Sequence, residues 1–252
     1  MLHHPTLDKL QQLRLLGMST ALREQLDLPD IHTLGFEERL GLLVDRELTL
    51  REDRRLQTRL RQAKLKHSAC LEDLDYTTPR GLDRGLVTQL ATGQWIREGL
   101  NCLVLGPTGI GKTWLACALA QQACRQGFTT RYLRAPRLFE ELRLAHADGG
   151  FPKLMRSFAK TDLLLLDDWG LMGLDAEARR DLLELLDDRH GQRATLITSQ
   201  LPLEHWHDLI GDPTLADAIL DRLVHNAYRI TLKGESMRKR HARTLTPSVP
   251  AE

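Results

Sequence analysis

Eight consecutive residues, Gly106-Pro107-Thr108-Gly109-Ile110-Gly111-Lys112-Thr113, satisfy the pattern G-x-x-x-x-G-K-[ST] in full. The spacing suits polyphosphate chemistry. Its glycines let the backbone wrap a phosphate chain so that successive N–H groups point inward, and a helix starting at Lys112 would add its dipole. Lys112 is placed to reach the β- and γ-phosphates of ATP, and the Thr113 hydroxyl to ligate Mg2+. A second run, Leu163-Leu164-Leu165-Leu166-Asp167-Asp168, ends an apolar stretch in two acids. Acids can end strands simply as helix caps. Beside a complete phosphate loop, Asp167 reads instead as the partner of Mg2+, and Asp168 as the group that orients or deprotonates an attacking water. A third run, Ala194–Thr198, is followed by Ser199-Gln200, whose side chains suit either a held water or an ordinary turn.

These residues need a frame that brings them to one edge. Short apolar runs at Cys102–Leu105, Thr130–Leu133, Leu163–Leu166, Ala194–Thr198 and Ala227–Thr231 predict strands. Amphipathic stretches near 112–126, 136–147, 151–160, 175–190 and 203–225 predict helices between them. Such alternation predicts an α/β fold, a parallel sheet covered by helices. Residues 1–67 read differently, as a small helical domain. Leucines recur there at spacings of three and four, interrupted at Pro29. Thr77-Thr78-Pro79, Gly81 and Gly85 mark 68–99 as a connecting stretch at the start of a second domain, 68–243. Residues 244–252, with two prolines, read as a disordered tail.

The chain has 252 residues, enough for one large domain with an appendage, and 42% of them are hydrophobic. It contains no apolar run of the ~18–20 residues a membrane span needs, and Met1–Leu10 lacks the apolar core of a signal peptide, so it reads as cytoplasmic with no membrane partner. Cys70, Cys102, Cys117 and Cys124 form no C-x-x-C pair and read as reduced thiols packed in a core.

The net charge of +1 hides strong segregation. Residues 161–221 hold fourteen acids against four bases, whereas 39–67, 131–160 and 222–243 are rich in arginine and lysine. Arg51, Arg55 and Arg59 recur every four residues on the helix face away from Leu56 and Leu60, a pattern that fits either a solvated face or a phosphate-binding one. Arg134, Arg137 and Lys153 are the alternative candidates for contact with DNA phosphates.

Taken together, the phosphate loop, the strand ending Asp167-Asp168-Trp169-Gly170 and the run Thr198-Ser199-Gln200-Leu201-Pro202 resemble the AAA+ ATPases. Within them, Arg54-Arg55-Leu56-Gln57 and Arg61-Gln62-Ala63-Lys64 look like the IstB branch, the helper ATPases of insertion-sequence transposition, which are close to DnaC-type helicase loaders. The likeness extends from about Leu7 to Arg240. It implies a P-loop AAA+ domain, with Lys112 and Thr113 as the Walker A lysine and hydroxyl and Asp167 as the Walker B metal acid. Asp168 stands where most relatives have Glu, one methylene longer, and Gln200 where Asn is commoner at sensor 1. Arg222, in Leu220-Asp221-Arg222-Leu223, matches the arginine that reaches into a neighbour's site, and Arg238 looks like sensor 2 or is a surface charge.

The resemblance further implies an ATPase that self-associates with ATP, binds double-stranded DNA with little regard to sequence, and regulates a cognate transposase. A DnaC-type helicase loader would use the same ATPase with a hexameric helicase as partner. A small-molecule P-loop kinase would need a lid, and no lid segment stands out in the sequence.

Overall fold

The computed structural model describes residues 5–237. The chain divides into two compact units, one ending at Thr58 and the other starting at Arg59.

The first unit is helical throughout. Helices α1 (Pro5–Gln12) and α2 (Leu16–Asp27) precede a short 3-10 turn at Pro29–Thr33, and the long α3 (Phe36–Ala63) starts in this unit and runs across the division. A Cβ at Gly17 would fall 2.6 Å from Glu47 Cα, so α2 crosses α3 at a spacing that only glycine permits. The buried Glu47 carboxylate accepts from the N–H groups of Gly17 (2.6 Å) and Met18 (3.2 Å), supplying the cap that the preceding Leu15 cannot. Phe36, Leu40, Val44 and Leu48 remain exposed along α3.

The second unit is built on five parallel strands: β1 (Asn101–Leu105), β2 (Thr130–Arg134), β3 (Leu163–Trp169), β4 (Ala194–Ser199) and β5 (Ala227–Thr231). Their order across the sheet is β2-β3-β4-β1-β5. Strand alternation divides their side chains between two cores. Cys102, Val104, Leu163, Leu165 and Leu196 face α4 (Arg84–Ala91), α5 (Gln94–Arg97) and α6 (Lys112–Arg125). Leu103, Leu105, Leu164, Leu166 and Ile197 face the opposite layer. That layer comprises α7 (Ala135–Asp148), α8 (Phe151–Lys160), α9 (Ala176–Arg189), α10 (Trp206–Ile210) and α11 (Pro213–Val224). The unbroken Leu163–Leu166 run therefore reflects burial on both faces of a central strand.

The α/β fold with a parallel sheet and a helical amino-terminal part is as the sequence predicts. Two local expectations are corrected. The stretch near 203–225 is not one helix, because Gly211 takes a φ of 77° and ends α10, after which Asp212 caps α11 and Pro213 occupies its first turn. The 68–99 connection holds two helices, the first capped by Asp83, whose carboxylate accepts from the N–H groups of Gly85 and Leu86. Cys102, Cys117 and Cys124 are buried free thiols and Cys70 is half-buried. The tail at 244–252 lies outside the described residues.

Candidate functional site

The phosphate loop leaves the carboxyl end of β1 and enters α6. Gly106 has a φ of 147°, and a Cβ there would lie 2.4 Å from the Leu232 carbonyl oxygen. Gly109 (φ 80°) is packed equally closely by Ser236. Both positions exclude a side chain. The loop is held from behind by Arg80, which is buried, donates through Nη1 to the Ile110 carbonyl at 3.1 Å and leaves its Nε unpartnered. Within the loop, Lys112 Nζ donates to the carbonyls of Gly106 (2.7 Å) and Pro107 (2.9 Å). Burial lowers the Lys112 pKa, and the nearby charges of Asp167 and Asp168 pull it partly back.

Thr113 begins α6 with its hydroxyl donating to Asp167 Oδ1 at 2.8 Å. Asp167 is fully buried. Its Oδ1 also accepts from Thr198 on β4 at 2.5 Å, and its Oδ2 from the Tyr132 hydroxyl on β2 at 2.8 Å. Burial, and then this bond to a carboxylate, raise the Tyr132 phenol above its ordinary range. Lys66 Nζ approaches the same Oδ2 at 3.8 Å. Thr113 and Asp167 thus offer hard oxygen donors beside a phosphate-binding loop, a set that fits Mg2+ held mainly by substrate phosphate and water.

Asp168 is treated differently. Its φ is 60°, unusual for a residue other than glycine, and the pairing of β3 with β4 shifts register between Leu166 and Trp169. The bulge turns consecutive acids in different directions. Asp167 remains inside, while the Asp168 side chain is 19% exposed and meets Arg134 Nε, at the end of β2, at 2.9 Å. The Asp168 N–H donates to Thr198 Oγ1, so one hydroxyl serves both acids. Gln200 is exposed beyond β4, and its Oε1 accepts from Thr108 of the loop.

The structure therefore gathers Gly106 to Thr113, Asp167, Asp168 and Gln200 at the carboxyl edge of the sheet. It keeps Arg222 apart. Asn101, the first residue of β1, donates through Nδ2 to the Arg222 carbonyl at 2.8 Å, whereas the phosphate loop follows the last residue of that strand. Five residues of strand separate the two by about 13 Å along the axis. The Arg222 guanidinium binds the Asp187 carboxylate and the Ala218 carbonyl. Arg238 lies outside the described residues; Met237, beside it, donates its N–H to the Gly109 carbonyl at 2.9 Å.

Among the proposed DNA contacts, Arg55 and Lys153 are exposed. Arg137 pairs with Glu140 and Glu141, and Arg134 with Asp168. Arg59 is tied up locally, its Nε donating at 2.8 Å to the Cys124 carbonyl near the end of α6. Sequence reasoning missed Lys66, Tyr132 and Thr198 as neighbours of Asp167. Tyr132 and Thr198 occupy strand positions consistent with simple packing, and nothing local marks their polar ends as facing an acid.

Comparison with known proteins agrees with this geometry. The family model for IstB-like ATP binding proteins matches residues 8–245. A Sinorhizobium fredii protein described as an insertion sequence ATP-binding protein is 53% identical over 96% of this chain and 99% of its own length. An ATP-binding protein of insertion sequence IS1162 from Pseudomonas fluorescens is 58% identical over 80% of this chain and 88% of its own. Among solved structures, the DnaC helicase loader aligns with a TM-score of 0.57 at 20% identity, covering 68% of this chain and all of that one. The replication initiator DnaA, bound to AMPPCP and single-stranded DNA, aligns at 0.55 and 18% identity over 72% of this chain and 56% of its own. These two likenesses describe a shared AAA+ fold. With a family match across almost the whole length and a complete phosphate loop beside paired acids, the chain belongs to the IstB-like ATP-binding family of insertion sequences.

Proposed function

We propose that this protein is an AAA+ ATPase that binds ATP with Mg2+, assembles on double-stranded DNA and regulates the transposase of its insertion sequence. The loop amides and Lys112 hold the phosphates. Thr113 and Asp167 hold the metal, which would neutralise charge on the β- and γ-phosphates. Asp168, once free of Arg134, orients or deprotonates the attacking water, with Gln200 beside it.

The observation that carries the assembly reading is the placement of Arg222. Lying at the start of β1, it is too far from its own phosphate loop to complete it, yet it is only partly buried and can serve a neighbouring subunit. ATP bound between subunits then favours the oligomer, and hydrolysis loosens it. Arg134 supplies a route from DNA to hydrolysis, because a phosphate that draws its guanidinium away releases Asp168. Arg137, which also holds Glu140 and Glu141, and the exposed Lys153 and Arg55 are further candidates for phosphate contact.

The proposal is tested by measuring ATP turnover with and without double-stranded DNA while following oligomer size by light scattering. DNA and ATP should together raise both. Turnover by a strict monomer, indifferent to DNA, would reject the reading. A helicase-loader role has fold likeness behind it, whereas the close relatives come from insertion sequences.

A further inference from the structure

The segment that leaves α3 runs to the buried acid of β3. After Ala63 the chain turns at Lys64, which has a left-handed φ of 52°. Leu65 then packs against the cluster of Ala69 with Cys117 and Ala118 of α6. So anchored, Lys66 Nζ reaches within 3.8 Å of Asp167 Oδ2, with its own side chain 39% exposed and the carboxylate 0% exposed.

A carboxylate offers about four lone-pair sites. Those of Asp167 face Thr113 and Thr198 on one oxygen and Tyr132 and Lys66 on the other. Three of these partners are neutral hydroxyls fixed on α6, β4 and β2. Lys66 differs in carrying a full charge on a flexible stem with a path to water. It is therefore the partner that an arriving cation repels most strongly, and the one that leaves at least cost. Lys112 also places its charge near Asp167, but its ammonium is held inside the loop by two carbonyls.

Resting on the reading of Asp167 as the metal acid, we propose that Lys66 is a resident competitor of the divalent cation, neutralising Asp167 in the nucleotide-free chain and expelled when Mg2+ enters with nucleotide. Its departure loosens the 64–67 segment at the end of α3. The last turn of α3 is held to α6 through Arg59 and the Cys124 carbonyl, so the change arises beside that contact. The signal depends on the cation, and nucleotide alone does not send it.

The test uses the full chain and a fluorescent ATP analogue at fixed concentration, titrated with Mg2+. Lys66→Met keeps the stem and removes the charge, and should lower the half-saturating Mg2+ concentration by roughly three- to tenfold. Lys66→Arg should stay near wild type. In the unsubstituted chain, hydrogen exchange at the amides of 64–67 should speed up with ATP and Mg2+ but not with ATP and a chelator. Equal Mg2+ titrations for wild type and Lys66→Met, or exchange at 64–67 that ignores Mg2+, would overturn the proposal. Asp167→Asn separates the two layers of the argument. If it weakens the Mg2+ response while Lys66→Met matches wild type, only the competitor role fails. If Asp167→Asn titrates like wild type, the metal-acid reading fails and the competitor role with it.

Discussion

The two edges of the parallel sheet are finished in opposite ways. At the amino edge, Asn101 and Arg189 are saturated by neighbours from the same chain, and Thr130 Oγ1 at the start of β2 is the exception there among the described residues. Asn101 donates to the carbonyls of Arg222 and Leu223 and accepts from the Thr195 N–H. Arg189, 1% exposed, donates to the carbonyls of Phe158, Thr161 and Ala194 and to the Thr195 hydroxyl. At the carboxyl edge the backbone takes positive φ at Gly106, Gly109 and, unusually for its type, Asp168, Arg80 Nε lacks a partner, and exposed charges rest on easily broken contacts. One edge holds the sheet together, and the other is kept ready for a ligand. Arg222 belongs to both, since its carbonyl is locked into the finished edge while its guanidinium lies at the surface.

The strongest test of this contrast is Arg222→Ala. It should leave folding and ATP binding intact yet reduce DNA-stimulated turnover by about 10³–10⁵-fold, the range for an arginine finger. Mixing it with Lys112→Ala should restore part of the activity, since one chain then supplies the loop and the other the finger. Absence of rescue would place Arg222 outside the reaction. Next in size, Asp168→Asn should retain ATP binding and lower turnover by about 10²–10⁴-fold, the usual worth of a positioned acid or base. Wild-type turnover in that variant would remove Asp168 from the mechanism.

Arg189→Met probes the finished edge. It strips donors from three carbonyls and should destabilise the chain by about 2–4 kcal/mol in urea unfolding, with unchanged affinity for nucleotide in the folded fraction. A loss of affinity without a loss of stability would mean that the edges are not independent. The smallest effect is expected for Arg134→Ala. Breaking a half-exposed pair should raise DNA-independent turnover only by about two- to fivefold, while blunting the response to DNA.

The contrast also explains what could be read in advance. The loop was legible because its chemistry is local, with glycines, lysine and threonine adjacent in the chain. Leu163–Leu166 was legible because burial on both faces leaves no polar alternation. Tyr132 and Thr198 were not, since crossover connections bring them to Asp167 from 35 and 31 residues away. The break at Gly211-Asp212-Pro213 carried every local signal of a helix end and a new start, but apolar spacing continued across it and dominated the reading. Arg59 belonged to a regular arginine stripe, yet the Cys124 carbonyl sets it apart from Arg55, a distinction periodicity does not make.

The segment over the phosphate loop has a consequence for synthesis. Leu232 donates to the Leu105 carbonyl, its own oxygen fills the space beside Gly106, and Met237 closes on Gly109. The ribosome makes the loop more than a hundred residues before it makes this cover. At 5–20 residues per second the delay is on the order of 10 s. Over that interval the nascent chain carries every residue of the phosphate loop without the segment that packs against Gly106 and Gly109, so the loop takes its described shape only once the last strand and that segment have been translated.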